Sequence, residues 1–294
     1  MSSFDFDYAM RVLIIGSTGV IGSQLSTTLQ KEGNEVFGAS RSIDSNNRNF
    51  MAIDLANTAS AIETIKNLPK MDAVVISAGM TGLRECETDP NLSRIVNVTS
   101  QVEIAKWFVI SGCQKVIFLS SNRVFDGRTE NVKSDAEYSP TTEYGRQKAQ
   151  AEEQILSLGD AVRVIRFTKI ISASSKLLVD WIAKIKVNNP VYAFTDVSIS
   201  PITKEYACAV IENVLLGESE PIVQASSTDE ITYFEMARSI AEQLDTDKSI
   251  VHKQSAGEVG ERSLLHSSLE SSVLTSIEPM SSLSAVRQVF KEMV

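Results

Sequence analysis

Three side chains have the types and the spacing to move a proton onto a carbonyl oxygen. Tyr144 and Lys148 form a Y-x-x-x-K at the start of a predicted helix spanning 141–158. Residues i and i+4 share a helical face, so the phenol and the ammonium project together. A free tyrosine titrates near ~10, too high for easy proton transfer at neutral pH; a neighbouring lysine cation favours the phenolate and lowers that value. Tyr144 can then serve as general acid to a carbonyl oxygen while hydride arrives at the carbon. Ser121 stands at the end of a predicted strand over 116–119. There its hydroxyl can bond the same oxygen and steady its developing charge. A lone Y-x-x-x-K also occurs on ordinary exposed helix faces. The order of parts argues for chemistry: a glycine loop, a serine at a strand end, then Tyr and Lys on the next helix.

That glycine loop is Gly16-Ser17-Thr18-Gly19-Val20-Ile21-Gly22. It follows a continuous apolar run, residues 11–15, and opens a helix whose Ile21, Leu25 and Leu29 share one face. Gly16 allows the tight turn, Gly19 lets backbone approach a pyrophosphate, and Gly22 lets helix and strand pack closely. The helix N-terminus offers free N–H groups and the positive dipole end to phosphates. Strand before, amphipathic helix after and second strand beyond are the context a dinucleotide site requires. After the second strand, residues 35–39, the chain reads Ser40-Arg41-Ser42, with no acid to bond a ribose 2′-hydroxyl. Arg41 can instead fork onto a 2′-phosphate, with Ser40 or Ser42 assisting, which points to NADP(H); the alternative is a solvated loop arginine.

Further strands are predicted over 50–53, 73–77 and 162–166, with helices over 59–68 and 90–110. Alternating strands and helices predict an α/β fold, a Rossmann doubly wound parallel sheet with ligands at its carboxyl edge. Beyond Phe167 the rhythm changes. Helices are expected over 177–186, 204–216 and 233–244, and short strands over 191–194 and 222–224; the serine-rich 267–284 resists assignment. The expected division is an NADP(H)-binding domain over 10–170 and a smaller substrate-binding lobe over 171–294, with 203–224 able to return to the sheet.

Composition narrows the partners. Acidic residues number 37 against 28 basic ones, a formal charge of −9. Such a surface repels nucleic-acid backbones and anionic membranes, leaving a small-molecule substrate. The three cysteines are scattered, as in a reduced, cytoplasmic setting, and the two histidines lack metal-ligand spacing. The N-terminus carries Asp5 and Asp7 and no apolar run, unlike a signal peptide. No apolar run is long enough to span a membrane.

Together these parts resemble the extended short-chain dehydrogenase/reductase superfamily, which includes nucleotide-sugar epimerases, dehydratases and reductases. The resemblance is strongest over residues 10–170. It implies an adenine contact at Asp54-Leu55, a small-residue seat beneath the cofactor at Ser77-Ala78-Gly79, and Asn97 as support for Lys148. The run Ser120-Ser121-Asn122-Arg123-Val124-Phe125-Asp126-Gly127 is similar to the S-T-D-Y-V-F-x-G segment of dTDP-4-dehydrorhamnose reductases. Asp196 and Pro201 match their D-Q-x-G-x-P-T segment only in part, since Val197, Ile199 and Ile202 replace its Gln, Gly and Thr. Lys169 stands where those reductases often carry a tryptophan. Asn122 and Arg123 replace the Asp-Glu pair of sugar dehydratases, which argues against loss of water. The resemblance therefore implies an NADPH-dependent reductase of a keto-sugar or nucleotide sugar, with Asn122, Arg123, Lys169 and Arg262 on the substrate. An epimerase and a non-catalytic NADP(H)-binding regulatory protein of the same fold are the alternatives. A homodimer through the helices after the fourth and fifth strands is a further expectation.

Overall fold

Arg11–Ile15 (β1) is buried at every residue but its first, as expected of a strand covered on both faces. Val20–Lys31 (α1) leads to Glu35–Ser40 (β2), then Phe50–Ala52 (β3), Thr58–Lys66 (α2) and Ala73–Ile76 (β4). The computed structural model describes residues 9–43, 48–262, 264–272 and 277–294. Leu83–Thr88 (α3), Pro90–Arg94 (α4) and Ser100–Ile110 (α5) precede Lys115–Ser121 (β5), Glu143–Leu156 (α6) and Val162–Phe167 (β6). The helix expected over 90–110 is therefore not uniform. Ile95–Thr99 is a π-helical turn between α4 and α5, and such a turn admits one extra residue into the helix.

The later elements are Ile170–Ile171 (β7), Lys176–Lys186 (α7), Val191–Phe194 (β8), Ser198–Ile199 (β9), Ile202–Thr203 (β10), Lys204–Leu216 (α8), Ile222–Ala225 (β11), Ile231–Thr232 (β12), Tyr233–Gln243 (α9), Val251–Gln254 (β13) and Ser282–Met293 (α10). Seven strands form one sheet in the order β11-β6-β5-β4-β1-β2-β3. β1 pairs in parallel with β2 on one side and β4 on the other, with Ile15 opposite Ala39 and Ile76. That register sends Gly16, Arg41 and Ser77 off the same carboxyl edge, at the point where the strand order reverses. The core beneath it includes Leu13, Ile15, Val74, Ile76, Ile104 and Phe118.

The chain divides into two compact units. One holds the chain up to Phe125 with Glu137–Arg166 and Cys208–Val223; the other holds Asp126–Ala136, Phe167–Ala207 and the chain from Gln224. The division is discontinuous, with 208–223 in the first unit and 126–136 in the second. The second unit has its own core, with Trp181, Met236, Ile240, Val286 and Phe290 buried. In its serine-rich stretch, the backbone N–H groups of Ser267 and Ser268 donate to Glu230 at 2.7 and 2.6 Å, and Ser272 donates to the Gln224 carbonyl at 2.9 Å. This lacing replaces a strand ladder, which is why no hydrophobic period marks it. Among the described residues, no helix is long and apolar enough to cross a membrane.

One carboxyl in the first unit makes stability depend on pH. A Glu212 oxygen on α8 is buried without a hydrogen-bond partner among the described residues. Burial, reinforced by Glu32, pushes this carboxyl up to about 7. With the folded value above the unfolded one, the folded state binds the extra proton, and the resulting stability is lost as pH rises through about 7. Glu212→Gln should therefore gain on the wild type between acidic and mildly alkaline pH. Because the side chain is partly exposed, the gain is discounted to about 1 kcal/mol, about 2–4 °C in Tm. Thermal melts at the two ends of that range measure it; a constant difference between the proteins would contradict the assignment.

Candidate active site

The glycine loop has the geometry its three roles require. Gly16 has φ +96°, in the left-handed region, and a Cβ there would lie 2.7 Å from the Ala78 amide nitrogen. A Cβ on Gly22 would lie 2.1 Å from the Gly16 carbonyl oxygen, so α1 can approach the turn only through a glycine. A Cβ on Gly19 would meet only the Gly16 oxygen, at 3.2 Å. The loop's middle glycine is thus the least crowded of the three. α1 has Gly19 at its N-cap and no side-chain cap, leaving its first-turn donors without competition from a side chain. Thr18, Gly19 and Val20 are exposed, and Ile21 is half-buried. Ser17 is buried, and its hydroxyl has no hydrogen-bond partner among the described residues.

Around this loop the neighbouring strand ends present the other expected residues. The Ser40 hydroxyl donates to the Ser42 carbonyl at 2.5 Å, which turns it inward, while Arg41 and Ser42 are exposed. Asp54 is exposed beyond β3 and accepts from the Ala56 N–H at 3.0 Å; Leu55 is buried. The Ser77 hydroxyl and the Ala78 N–H both donate to the Ile15 carbonyl, at 2.8 and 2.9 Å, fixing the end of β4 to the end of β1. Gly79 is exposed. An unpaired, buried Ser17 hydroxyl, a solvent-exposed Gly19 and uncapped helix donors fit a dinucleotide pyrophosphate, with Arg41 one strand away for an added phosphate.

At the end of β5, Ser121 Oγ accepts from the Arg123 N–H at 3.2 Å and donates to Asn122 Oδ1 at 3.3 Å, and it stands near enough to the Tyr144 phenol to lower its pKa. Gly145 makes this possible, since a Cβ there would lie 2.1 Å from the Arg123 carbonyl oxygen. Thr142 caps α6 through the Gly145 N–H at 3.1 Å. Asn122 and Arg123 are half-buried in the short turn between Ser121 and Phe125. Burial pushes the Tyr144 phenol up to about 12, aided by Cys86, against the lowering action of Ser121 and Arg123.

Lys148 lies four residues beyond Tyr144 on α6. Its ammonium donates to the Leu119 carbonyl at 2.8 Å, approaches Gln101 Oε1 at 3.5 Å and lies 4.2 Å from the centre of the Phe118 ring. Burial lowers it to about 7, opposed by Glu152 one turn along α6. The i, i+4 spacing puts both residues on α6, where β5 engages the ammonium and Arg123 also lowers the phenol.

A correction concerns Asn97. Its carboxamide accepts from the Met80 N–H at 2.7 Å and donates to the Met80 carbonyl and Gln147 Oε1, both at 2.9 Å. It supports the chain after β4 rather than Lys148. Lys169 and Arg262 belong to the second unit, where both are exposed; the Lys169 carbonyl accepts from Ile202.

A glycine-cradled helix start beside a Ser-Tyr-Lys group on one parallel sheet defines the class: a protein of the extended short-chain dehydrogenase/reductase type. Residues 10–278 match the RmlD substrate binding domain, and the chain belongs to that family. Over 252 residues it is 23% identical to a probable low-salt glycan biosynthesis reductase of Haloferax volcanii, covering 82% of this chain and 83% of that one. It is 29% identical over 147 residues to the dTDP-4-dehydrorhamnose reductase of Salmonella typhimurium, covering 50% and 46%. A methionine adenosyltransferase 2 subunit beta of Xenopus laevis is 26% identical over 157 residues, covering 53% and 46%. The structure of a dTDP-4-dehydrorhamnose reductase from Bacillus anthracis in complex with NADP superposes with TM-score 0.85 at 18% identity, covering 97% of this chain and all of that one.

Proposed function

We propose that this chain is an NADPH-dependent reductase of a nucleotide-linked keto-sugar, similar in chemistry to the dTDP-4-dehydrorhamnose reductases it matches. The observation carrying this reading is the buried Tyr144 phenol set beside Ser121 at the end of β5, on the sheet edge that bears the glycine loop. The cofactor, when bound, supplies the hydride. A phenol held near 12 stays protonated at neutral pH, as a proton donor must be. Ser121 and Arg123 lower the cost of the phenolate left behind. Gly16–Gly22 would hold the pyrophosphate, with Asp54, Leu55 and Ser77–Gly79 lining the rest of the cofactor's path. Asn122, Arg123, Lys169 and Arg262 are the substrate-side residues of this reading, and a cytoplasmic homodimer belongs to it as well.

The test is NADPH oxidation with dTDP- and UDP-linked 4-keto-sugars. Consumption of NADPH in step with sugar reduction is the expected result. Sugar isomerisation without net NADPH consumption would identify the epimerase alternative. Cofactor choice is tested through Arg41. kcat/KM should favour NADPH over NADH, and Arg41→Ala should reduce that preference about 10- to 100-fold, the worth of a charged hydrogen-bonding pair. A wild type that prefers NADH would overturn the NADP(H) assignment.

The likeness to a methionine adenosyltransferase subunit supports a second reading, an NADP(H)-binding protein that serves another enzyme without catalysis. A retained Ser121–Tyr144 pair would then have no chemical use.

A further inference from the structure

We propose that Gln101 is the positioning residue for Lys148, holding its ammonium between α5, β5 and α6 and coupling it to the cofactor edge of β4. Gln101 is wholly buried at the start of α5. Its amide nitrogen donates to the Ala78 carbonyl at 2.8 Å, at the end of β4. That bond orients the carboxamide, because the nitrogen can only donate. The oxygen therefore faces Lys148 Nζ, at 3.5 Å. The reverse orientation would set an NH₂ against a cation and leave the Ala78 carbonyl without this donor.

Asn97, one turn earlier, is committed to Met80 and Gln147. Gln101 is the side chain that reaches from the β4 edge to the lysine. A lysine buried this deeply needs acceptors to stay charged. It finds the Leu119 carbonyl on β5, the Phe118 ring beneath it and Gln101 on α5; the charged group facing it is Glu152 on its own helix. Gly79 lies against the same carboxamide, since a Cβ there would be 3.4 Å from Gln101 Nε2 and 3.1 Å from Asn97 Oδ1. A shift of the β4 edge would therefore be felt at the lysine.

The inference takes Lys148 as a working group of the proposed reductase, so it is tested in two arms. The first is independent of activity: titration of 13Cε-labelled lysine by NMR without nucleotide, with the Lys148 signal assigned by its loss in Lys148→Arg. In the wild type, Lys148 should titrate at about 7, apart from the other lysines near ~10.4. Gln101→Leu, similar in size, removes the acceptor and should lower the midpoint by about 0.5 pH unit or more. Gln101→Glu adds a negative charge and should raise it above about 8. The second arm follows the high-pH limb of kcat, which should move in the same direction in each variant. A merely structural role would lower Tm and leave both midpoints in place. Unmoved Lys148 midpoints in two folded variants would overturn the inference. If no keto-sugar is reduced, the reductase reading fails, and the NMR arm still decides for or against Gln101.

Discussion

Tyr144→Phe should lower kcat for carbonyl reduction by about 10²- to 10⁴-fold, the range that positioned general acids contribute, with little change in cofactor affinity or fold. The phenol is buried and pushed up to about 12. It therefore carries its proton across the whole neutral range, and the variant loses a donor that is always loaded. Phenylalanine keeps the ring's packing. The hydroxyl it removes lies beside Ser121, which keeps its bonds to the Arg123 N–H at 3.2 Å and Asn122 Oδ1 at 3.3 Å, so a large loss of stability is not expected. The pH dependence identifies the partner group. With the phenol near 12, loss of activity at mildly alkaline pH must come from a group titrating lower, and Lys148, at about 7, sheds its proton as pH rises through that value. Steady-state kinetics and NADPH binding, measured side by side, test this. A variant that keeps full cellular function with unchanged cofactor binding would remove the enzymatic reading and leave the subunit-like one.

The roles that were legible in the sequence are those that the backbone imposes. Only glycine tolerates φ +96° at Gly16 or a carbonyl 2.1 Å from a Cβ at Gly22. A spaced glycine run after an apolar strand thus announces its geometry before any side chain is placed. The strand and helix order was legible for the same reason, through burial period. What was not legible depends on side-chain reach across elements. Asn97 and Gln101 stand four residues apart, and a reading at 3.6 residues per turn cannot tell which faces Lys148 when a π-turn over Ile95–Thr99 shifts the register between them. Nor does an i, i+4 spacing reveal that a β5 carbonyl will take the lysine's proton-bearing end. In the second unit, Ser267, Ser268 and Ser272 satisfy their backbone through Glu230 and Gln224, partners forty or so residues away that no local pattern records.

Arg166 and Glu152 should produce the largest stability effect in the first unit. Their side chains are 1% and 0% exposed, and Arg166 Nη2 donates to Glu152 Oε2 at 2.7 Å, with Nε at 2.9 Å on the same oxygen. The Tyr138 hydroxyl donates to that oxygen at 2.9 Å, and the guanidinium lies 5.1 Å from the Phe125 ring centre and 5.3 Å from that of Tyr138. The pair therefore joins β6 and α6 to the turn that follows Ser121. Removing one member strands the other's charge away from water, at a cost of about 3–5 kcal/mol, whereas exchanging both for apolar residues of similar size is often close to neutral. Against a typical total of about 5–15 kcal/mol, Arg166→Met or Glu152→Leu alone should unfold at much lower urea, and the double variant should recover most of the loss. Because Phe125 rests on Arg166, the single variants should also lose activity at temperatures where they remain folded, through displacement of Asn122 and Arg123. Urea melts of the two single variants and the double variant separate these terms. Single variants within about 1 kcal/mol of the wild type, the value of an exposed ion pair, would mean that the pair is solvated and the turn is held by other contacts.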